Sequence, residues 1–125
     1  IVLCGVASDE QHLKSFAAQL RYPTHILAGE SSLLSFAAFL GKCTALLTLD
    51  SGPRHIGNAM GIPVLFARNL SHSLIEAGSY CDNEIDLAPA VEYLDDVETE
   101  RVARSQPVGL FADRLIDVLK AKGWS

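Results

Sequence analysis

A chain of 125 residues with 49% hydrophobic side chains is long enough for one domain that buries about two-thirds of its unfolded surface around a single core. Its net charge of −5, with lysines and arginines scattered and not striped along one face, argues against nucleic acid as a partner; no apolar run reaches bilayer length and the start lacks the basic-then-apolar form of a signal peptide, so a cytoplasmic chain that does not span a membrane is expected. The three cysteines, Cys4, Cys43 and Cys81, are odd in number and form no Cys-x-x-Cys pair, which reads as reduced thiols, with Cys4 and Cys43 as small core residues.

Ile1-Val2-Leu3-Cys4-Gly5 reads as a buried strand already in progress, which predicts a fragment of a longer protein. Ser8-Asp9-Glu10-Gln11 then matches a capping box, followed by Leu13, Phe16, Ala17 and Leu20 at helical spacing. After Pro23, Thr24 to Leu27 forms a second strand, and Gly29-Glu30-Ser31-Ser32 opens a helix through Leu33, Phe36, Ala37 and Leu40 that Gly41 closes. Ala45 to Leu49 is the third strand, Gly52 to Met60 a short helix, and Pro63 to Phe66 a fourth strand. Continuous hydrophobicity in such short strands implies burial on both faces, so the βαβαβαβ alternation predicts an α/β fold with a parallel sheet between helices. From Ala67 to Pro89 the chain is polar, with Gly78, two loop-like stretches and one helical turn near Ser71 to Ala77. Val91 to Leu94 reads as an edge strand or extended segment, and Asp95, Asp96, Glu98 and Glu100 as a solvated helix start. The last helix, Val108 to Lys122, aligns Val108, Phe111, Leu115, Val118 and Leu119 on one face, with Gly123 behind its basic final turn.

The segment with the most chemistry is Asp50-Ser51-Gly52-Pro53-Arg54-His55, where the third strand breaks into a helix. Such a junction presents backbone N–H groups to an anion. Gly52 can take the angles of a sharp turn, and Pro53 suits the first helical position, where its missing N–H would have no partner. Asp50 or Ser51 can cap the exposed N–H groups; alternatively those groups stay free for phosphate oxygens, with the Ser51 hydroxyl as a further donor. His55, one turn on, can project toward the same anion.

Two segments carry a resemblance. One is Gly29-Glu30-Ser31-Ser32-Leu33-Leu34-Ser35-Phe36-Ala37-Ala38; the other runs from Leu49 through the Asp50 to His55 turn and Ile56-Gly57-Asn58-Ala59-Met60-Gly61-Ile62-Pro63-Val64. They are similar to Gly-x-Thr/Ser-Ser-Leu-x-Glu-x-Ala-Ala and to Asn-Asp-Ser/Thr-Gly-Pro-Met-His-Leu-Ala-Ala-Ala-Leu-Gly-x-Pro-Val. Through them the stretch from Gly29 to Phe66 resembles the C-terminal half of the ADP-heptose:lipopolysaccharide heptosyltransferases, glycosyltransferase family nine of the GT-B fold.

The resemblance implies a three-layer Rossmann-like α/β/α domain that holds a nucleotide-sugar donor across a cleft from a second domain. It places the backbone at Ser51 and Gly52, ahead of Pro53, on the donor diphosphate, Asp50 near the sugar and His55 in support of the phosphate. Gly5 with Asp9 and Glu10 matches a Gly-rich strand end whose carboxylate contacts the ribose, against a plain helix cap. Arg54 and Leu49 stand where the family has Met and Asn, and Ala67-Arg68-Asn69 where it has Gly-Pro-Thr/Ser. Arg68 at that strand end can pair with the diphosphate or be an exposed loop arginine. Implied partners are the donor, an N-terminal domain of the same chain that supplies the general base, and a glycan or lipid-linked acceptor of the lipopolysaccharide type, at the inner membrane's cytoplasmic side. No Asp-x-Asp motif is present, so no metal cofactor is expected, with the helix end taking the place of a divalent ion; that the transfer is inverting is what the resemblance implies. This chain alone is expected not to catalyse transfer.

Three rival readings use the same residues. A Ser51, His55, Asp50 triad is disfavoured by spacing and by the missing Gly-x-Ser-x-Gly elbow. A metal site from His55, His72, Cys81 and Asp82 lacks structural-zinc spacing. The third is a non-catalytic nucleotide or nucleotide-sugar binding module that keeps the fold and has lost the chemistry.

Overall fold

The computed structural model describes residues 1–123, whose backbone groups into two compact units, Ile1–Phe36 and the chain from Ala37 onward. In the first, strand β1 (Val2–Gly5) leads through a single 3₁₀ turn at Ala7–Asp9 into helix α1 (Glu10–Ala17) and back to strand β2 (His25–Ala28). The strands run parallel, in register from Val2 opposite His25 to Gly5 opposite Ala28. Leu13, Ala17 and Leu20 are the half-buried residues of the helical segment, while Phe16 is exposed.

Two details of this unit differ from expectation. Ser8 does not cap α1: the Asp9 carboxylate turns back to accept the Val6 N–H at 3.0 Å, and a 3₁₀ turn fills the place of the capping box. Cys4 is exposed, because β1 alternates, with Leu3 and Gly5 on the more covered side and Val2 and Cys4 on the other. Gly5 and Gly29 both mark close approach. A Cβ on Gly5 would stand 2.8 Å from the Asp9 carboxylate, and one on Gly29, whose φ is +68°, would stand 2.8 Å from both N and Cβ of Ala7.

The second unit takes in the end of helix α2 (Leu33–Leu40), then β3 (Leu46–Leu49), α3 (Gly52–Ala59), β4 (Val64–Ala67), α4 (Leu74–Ala77), β5 (Glu84–Asp86), α5 (Asp96–Ser105) and α6 (Val108–Ala121). The sheet order is β3-β4-β5, all parallel. Central β4 meets the expectation of burial on both faces: Val64, Leu65 and Phe66 are wholly inaccessible. Edge strand β3 does not, since its burial alternates and Leu47 and Leu49 stay exposed. Helix α3 lies close on this sheet at Gly57, where a Cβ would come within 2.8 Å of Val64 Cγ2 and 3.0 Å of Leu46 Cδ2.

The α/β class with parallel strands and connecting helices is as the sequence predicts, and the βαβ units are Rossmann-like. The third strand of the second sheet lies before Val91 to Leu94, so the edge-strand alternative for that stretch is not the one realised. Val91 to Leu94 is irregular, with Tyr93 at φ +55°, and the strand is Glu84-Ile85-Asp86. Its two carboxylates have the composition of a loop, but each is paired with an arginine distant in sequence. The acidic run behaves as expected: Asp95 caps α5 by accepting the Glu98 N–H at 2.8 Å.

Candidate functional site

The turn after β3 is built by the ladder and released by the helix. Asp50 N–H still donates to Ala67 O at 3.1 Å, which extends the β3-β4 pairing by one residue. Ser51 is then extended (φ −151°, ψ 177°) as N-cap, and Gly52 and Pro53 are the first two residues of α3. Neither capping side chain caps. The Ser51 hydroxyl lies 3.4 Å from Leu49 O and 3.5 Å from Thr48 Oγ1, and Asp50 Oδ1 accepts from Arg54 Nη1 at 2.8 Å. Pro53 therefore sits second, not first, which costs nothing because the N–H groups of the whole first turn lack intrahelical partners.

The conformational role that its type suggests for Gly52 is not the one it has. Its φ is not in the left-handed region, and a Cβ there would meet nothing within 4 Å. The turn does not need glycine for its angles or for packing. The space around this position, at the α3 N-terminus where the helix carries partial positive charge, is open.

Behind the turn stands a buried ion-pair network that the sequence did not reveal. Arg54, 1% exposed, engages all five of its N–H donors. Nε and Nη2 reach Glu84 at 2.6 and 3.0 Å, Nη1 reaches Asp50 and Ala77 O at 2.8 and 2.9 Å, and Nη2 reaches Gly78 O at 2.6 Å. The guanidinium also lies 3.6 Å from the centre of the Phe66 ring and 5.1 Å from that of Tyr80. Glu84 completes its own set with Asn58 Nδ2 at 2.6 Å and Tyr80 N–H at 2.9 Å. Burial alone would push the Glu84 carboxyl up, but the bonds from Arg54, Asn58 and Tyr80 and the charge of Arg54 hold it down at about 2. Burial works against the Arg54 cation as well, and its bonds to Glu84 and Asp50 outweigh that and raise its pKa. A faint signal existed: Arg54 falls three residues before Gly57 on the face of α3 that packs inward.

His55 is exposed on the same helical turn, its Nδ1 2.5 Å from Tyr80 Oη and its ring stacked on Tyr80 at 5.6 Å and 23°. Arg68 is not the exposed arginine that was one of its two readings. It is 4% exposed, with Nε on Asp86 at 3.0 Å, Nη1 on Val91 O at 3.0 Å and Nη2 on Pro89 O at 2.7 Å, so it clamps the chain after β5. Asp50 and Arg68 both line a cavity of about 380 Å³ at the C-terminal ends of the β3-β4-β5 sheet, walled mainly by Leu49, Leu70, Leu87, Pro89 and Phe111. The buried Oγ1 of Thr99, also in that wall, has no partner among the described residues. Glu10 belongs to the first unit, where its carboxylate pairs with Lys14 at 2.7 Å, both exposed, and it does not cap α1.

Asp50, Ser51, Gly52, Pro53 and His55 thus share one turn, but not as a hydrolytic triad. Asp50 faces Arg54, His55 faces Tyr80, and Ser51 faces backbone and Thr48. Among the described residues no group of three or more His, Cys, Asp or Glu is placed to hold a metal ion, and no helix is long and apolar enough to cross a membrane.

Residues 1–67 match the profile of glycosyltransferase family 9 (heptosyltransferase). Among solved structures, a glycosyl transferase family 9 protein from Veillonella parvula DSM 2008 shares the fold with a TM-score of 0.65 and 21% identity, over 96% of this chain and 35% of that one. The chain thus spans about a third of the length of that relative. No curated protein matches.

Proposed function

This chain belongs to glycosyltransferase family 9, and on that footing we propose that it forms the nucleotide-sugar donor site of a transferase that moves a heptose-like sugar from a nucleoside diphosphate to a glycan or lipopolysaccharide-type acceptor. The observation that carries this reading is the α3 N-terminus. It follows a strand end directly, no side chain caps it, and the space around Gly52 is open.

Sugar transfer from a diphosphate develops negative charge on the departing group, and preorganised N–H donors aimed at that charge are the main means of stabilising it. The first-turn N–H groups of α3, the Ser51 hydroxyl and the His55 imidazole supply them, and the helix dipole adds to the field without a metal ion. Asp50 lines the cavity beside the turn, so the sugar goes there, with its hydroxyls toward the carboxylate. Because Arg54 holds Asp50 Oδ1, the carboxylate keeps its place while the other oxygen accepts from the sugar. Arg68, with its nitrogens engaged by Asp86 and two carbonyls, adds positive charge to the cavity wall and not a direct phosphate contact. The acceptor site and the base for its hydroxyl come from an N-terminal half of the longer protein, working at the cytoplasmic side of the membrane, and this chain by itself binds donor without transferring it.

Calorimetric titration with ADP, GDP, UDP and ADP-heptose, with and without magnesium, tests this. One diphosphate should bind without metal and should be lost in the Ser51→Ala/His55→Ala double variant. Failure of all four at millimolar concentration in the folded protein overturns the reading.

A further inference from the structure

We infer that Tyr80 is the positioning residue for His55, fixing the imidazole as its Nε2–H tautomer so that a nitrogen-bound proton is always presented on the side away from Tyr80. The inference deepens the donor-site reading and rests on it, since the group to which Nε2–H would donate is a phosphate oxygen.

Tyr80 lies in the polar stretch between β4 and β5, which no sequence motif explains. Its backbone is pinned by the buried pair: Tyr80 N–H donates to Glu84 Oε2 at 2.9 Å, and the carbonyls of Ala77 and Gly78 accept from Arg54 at 2.9 and 2.6 Å. Its ring lies 5.1 Å from the Arg54 guanidinium and stacks on the His55 ring at 5.6 Å. The hydroxyl then meets His55 Nδ1 at 2.5 Å.

A neutral imidazole has one nitrogen that donates and one that accepts, and the partner of one fixes the role of the other. A phenol is a better proton donor than a neutral imidazole N–H, so the Tyr80 O–H donates to Nδ1 and the ring proton sits on Nε2. If the imidazole gains a second proton, Nδ1–H donates to the Tyr80 oxygen instead and Nε2–H is still present. In both charge states the free nitrogen is a donor, which is what an anion requires. Without the hydroxyl, a neutral His55 divides between two tautomers, and one of them turns a lone pair toward the phosphate. Both side chains are exposed, so burial does not impose the pairing; the anchored backbone and the stack do.

The test is nitrogen-15 NMR of the imidazole in the unsubstituted protein and in Tyr80→Phe, which keeps the stack and removes only the oxygen. His55 should show the Nε2–H pattern in the unsubstituted protein and averaged tautomer shifts in Tyr80→Phe, with the urea midpoint unchanged. For whichever of ADP, GDP or UDP binds, Tyr80→Phe should weaken affinity about threefold to tenfold, and should weaken it no further in a His55→Ala background. Identical His55 shifts in the two proteins, or an equal affinity loss with and without His55, overturns the role of Tyr80. If none of the diphosphates binds the unsubstituted protein, the donor-site reading fails instead, and the tautomer shifts still decide whether Tyr80 sets the ring.

Discussion

Replacing Arg54 by methionine, the residue type found at this position in the heptosyltransferase motif, should be among the most damaging single changes in the second unit. It removes five hydrogen bonds and leaves the Glu84 carboxylate, wholly inaccessible, with only Asn58 and the Tyr80 N–H. Breaking a buried pair by deleting one partner costs about 3–5 kcal/mol, a large part of the roughly 5–15 kcal/mol that holds a domain folded, and corresponds to a fall in melting temperature of roughly 10–20 °C. The pH dependence gives an independent measure. Glu84 is lowered from 4.5 to about 2 in the folded protein, so its contribution is fully present above the unfolded value and is lost as pH falls from about 4.5 toward 2. That contribution is about 3 kcal/mol. In the Arg54→Met variant the bonds and charge of Arg54 no longer hold the carboxyl down, so the gap between the two proteins should be widest at pH 7 and should narrow toward pH 2.5. Urea unfolding followed by circular dichroism at both pH values measures this. A Glu84→Gln change made on top of Arg54→Met should cost little more, since the uncompensated charge is then gone. A loss below 1 kcal/mol at pH 7, or a gap that does not shrink in acid, would refute the argument.

Three further outcomes follow from other parts of the structure. Gly52→Ala has no steric obstacle and no strained φ, so it should leave the melting temperature within a few degrees while weakening diphosphate binding, and a normal affinity would show that the space before α3 is not used. Gly29→Ala forces a side chain into left-handed backbone against Ala7; strain of about 1–2 kcal/mol plus the clash should appear as a clear drop in urea midpoint. Arg68→Met frees Asp86 and the carbonyls of Pro89 and Val91, so amide exchange over residues 87–94 should accelerate at least tenfold, and unchanged protection there would show that the clamp holds nothing in place.

What was legible in the sequence was whatever local pattern encodes. Val64 to Phe66 is apolar without interruption and is buried; Asp95 stands before a helical run and caps it; the strand-to-helix turn at Asp50 is where its residue types put it. What was not legible depends on partners far along the chain. Glu84 and Asp86 read as loop residues because their compensating charges, Arg54 and Arg68, lie 30 and 18 residues away, and no window of neighbouring residues contains that information. Glycines show the same limit. Type alone gave Gly52 a conformational role that Gly29 in fact fills, and only the backbone angles and the space around each Cβ separate the two. The alternation that exposes Cys4 and Leu49 is likewise a property of which strand face is covered, and an apolar run does not specify it.

The departure at position 54 and the polar segment after β4 make sense only together. An arginine on the inner face of α3 would be intolerable against Phe66 without acceptors for its donors, and four of the five bonds it makes go to Ala77, Gly78 and Glu84. The fifth goes to Asp50. In return, the same arginine and its carboxylate fix the backbone that carries Tyr80 to His55. Asp50 and His55 belong to the same strand-to-helix turn as the uncapped α3 N-terminus, and both are anchored to one buried ion pair, Asp50 directly and His55 through Tyr80. A network of this kind contributes little net stability compared with a well-packed apolar core. Its use lies in order: the Asp50 carboxylate and the His55 imidazole are held in place before any ligand arrives, so under the proposed donor-site reading the reorganisation that would otherwise accompany binding is avoided.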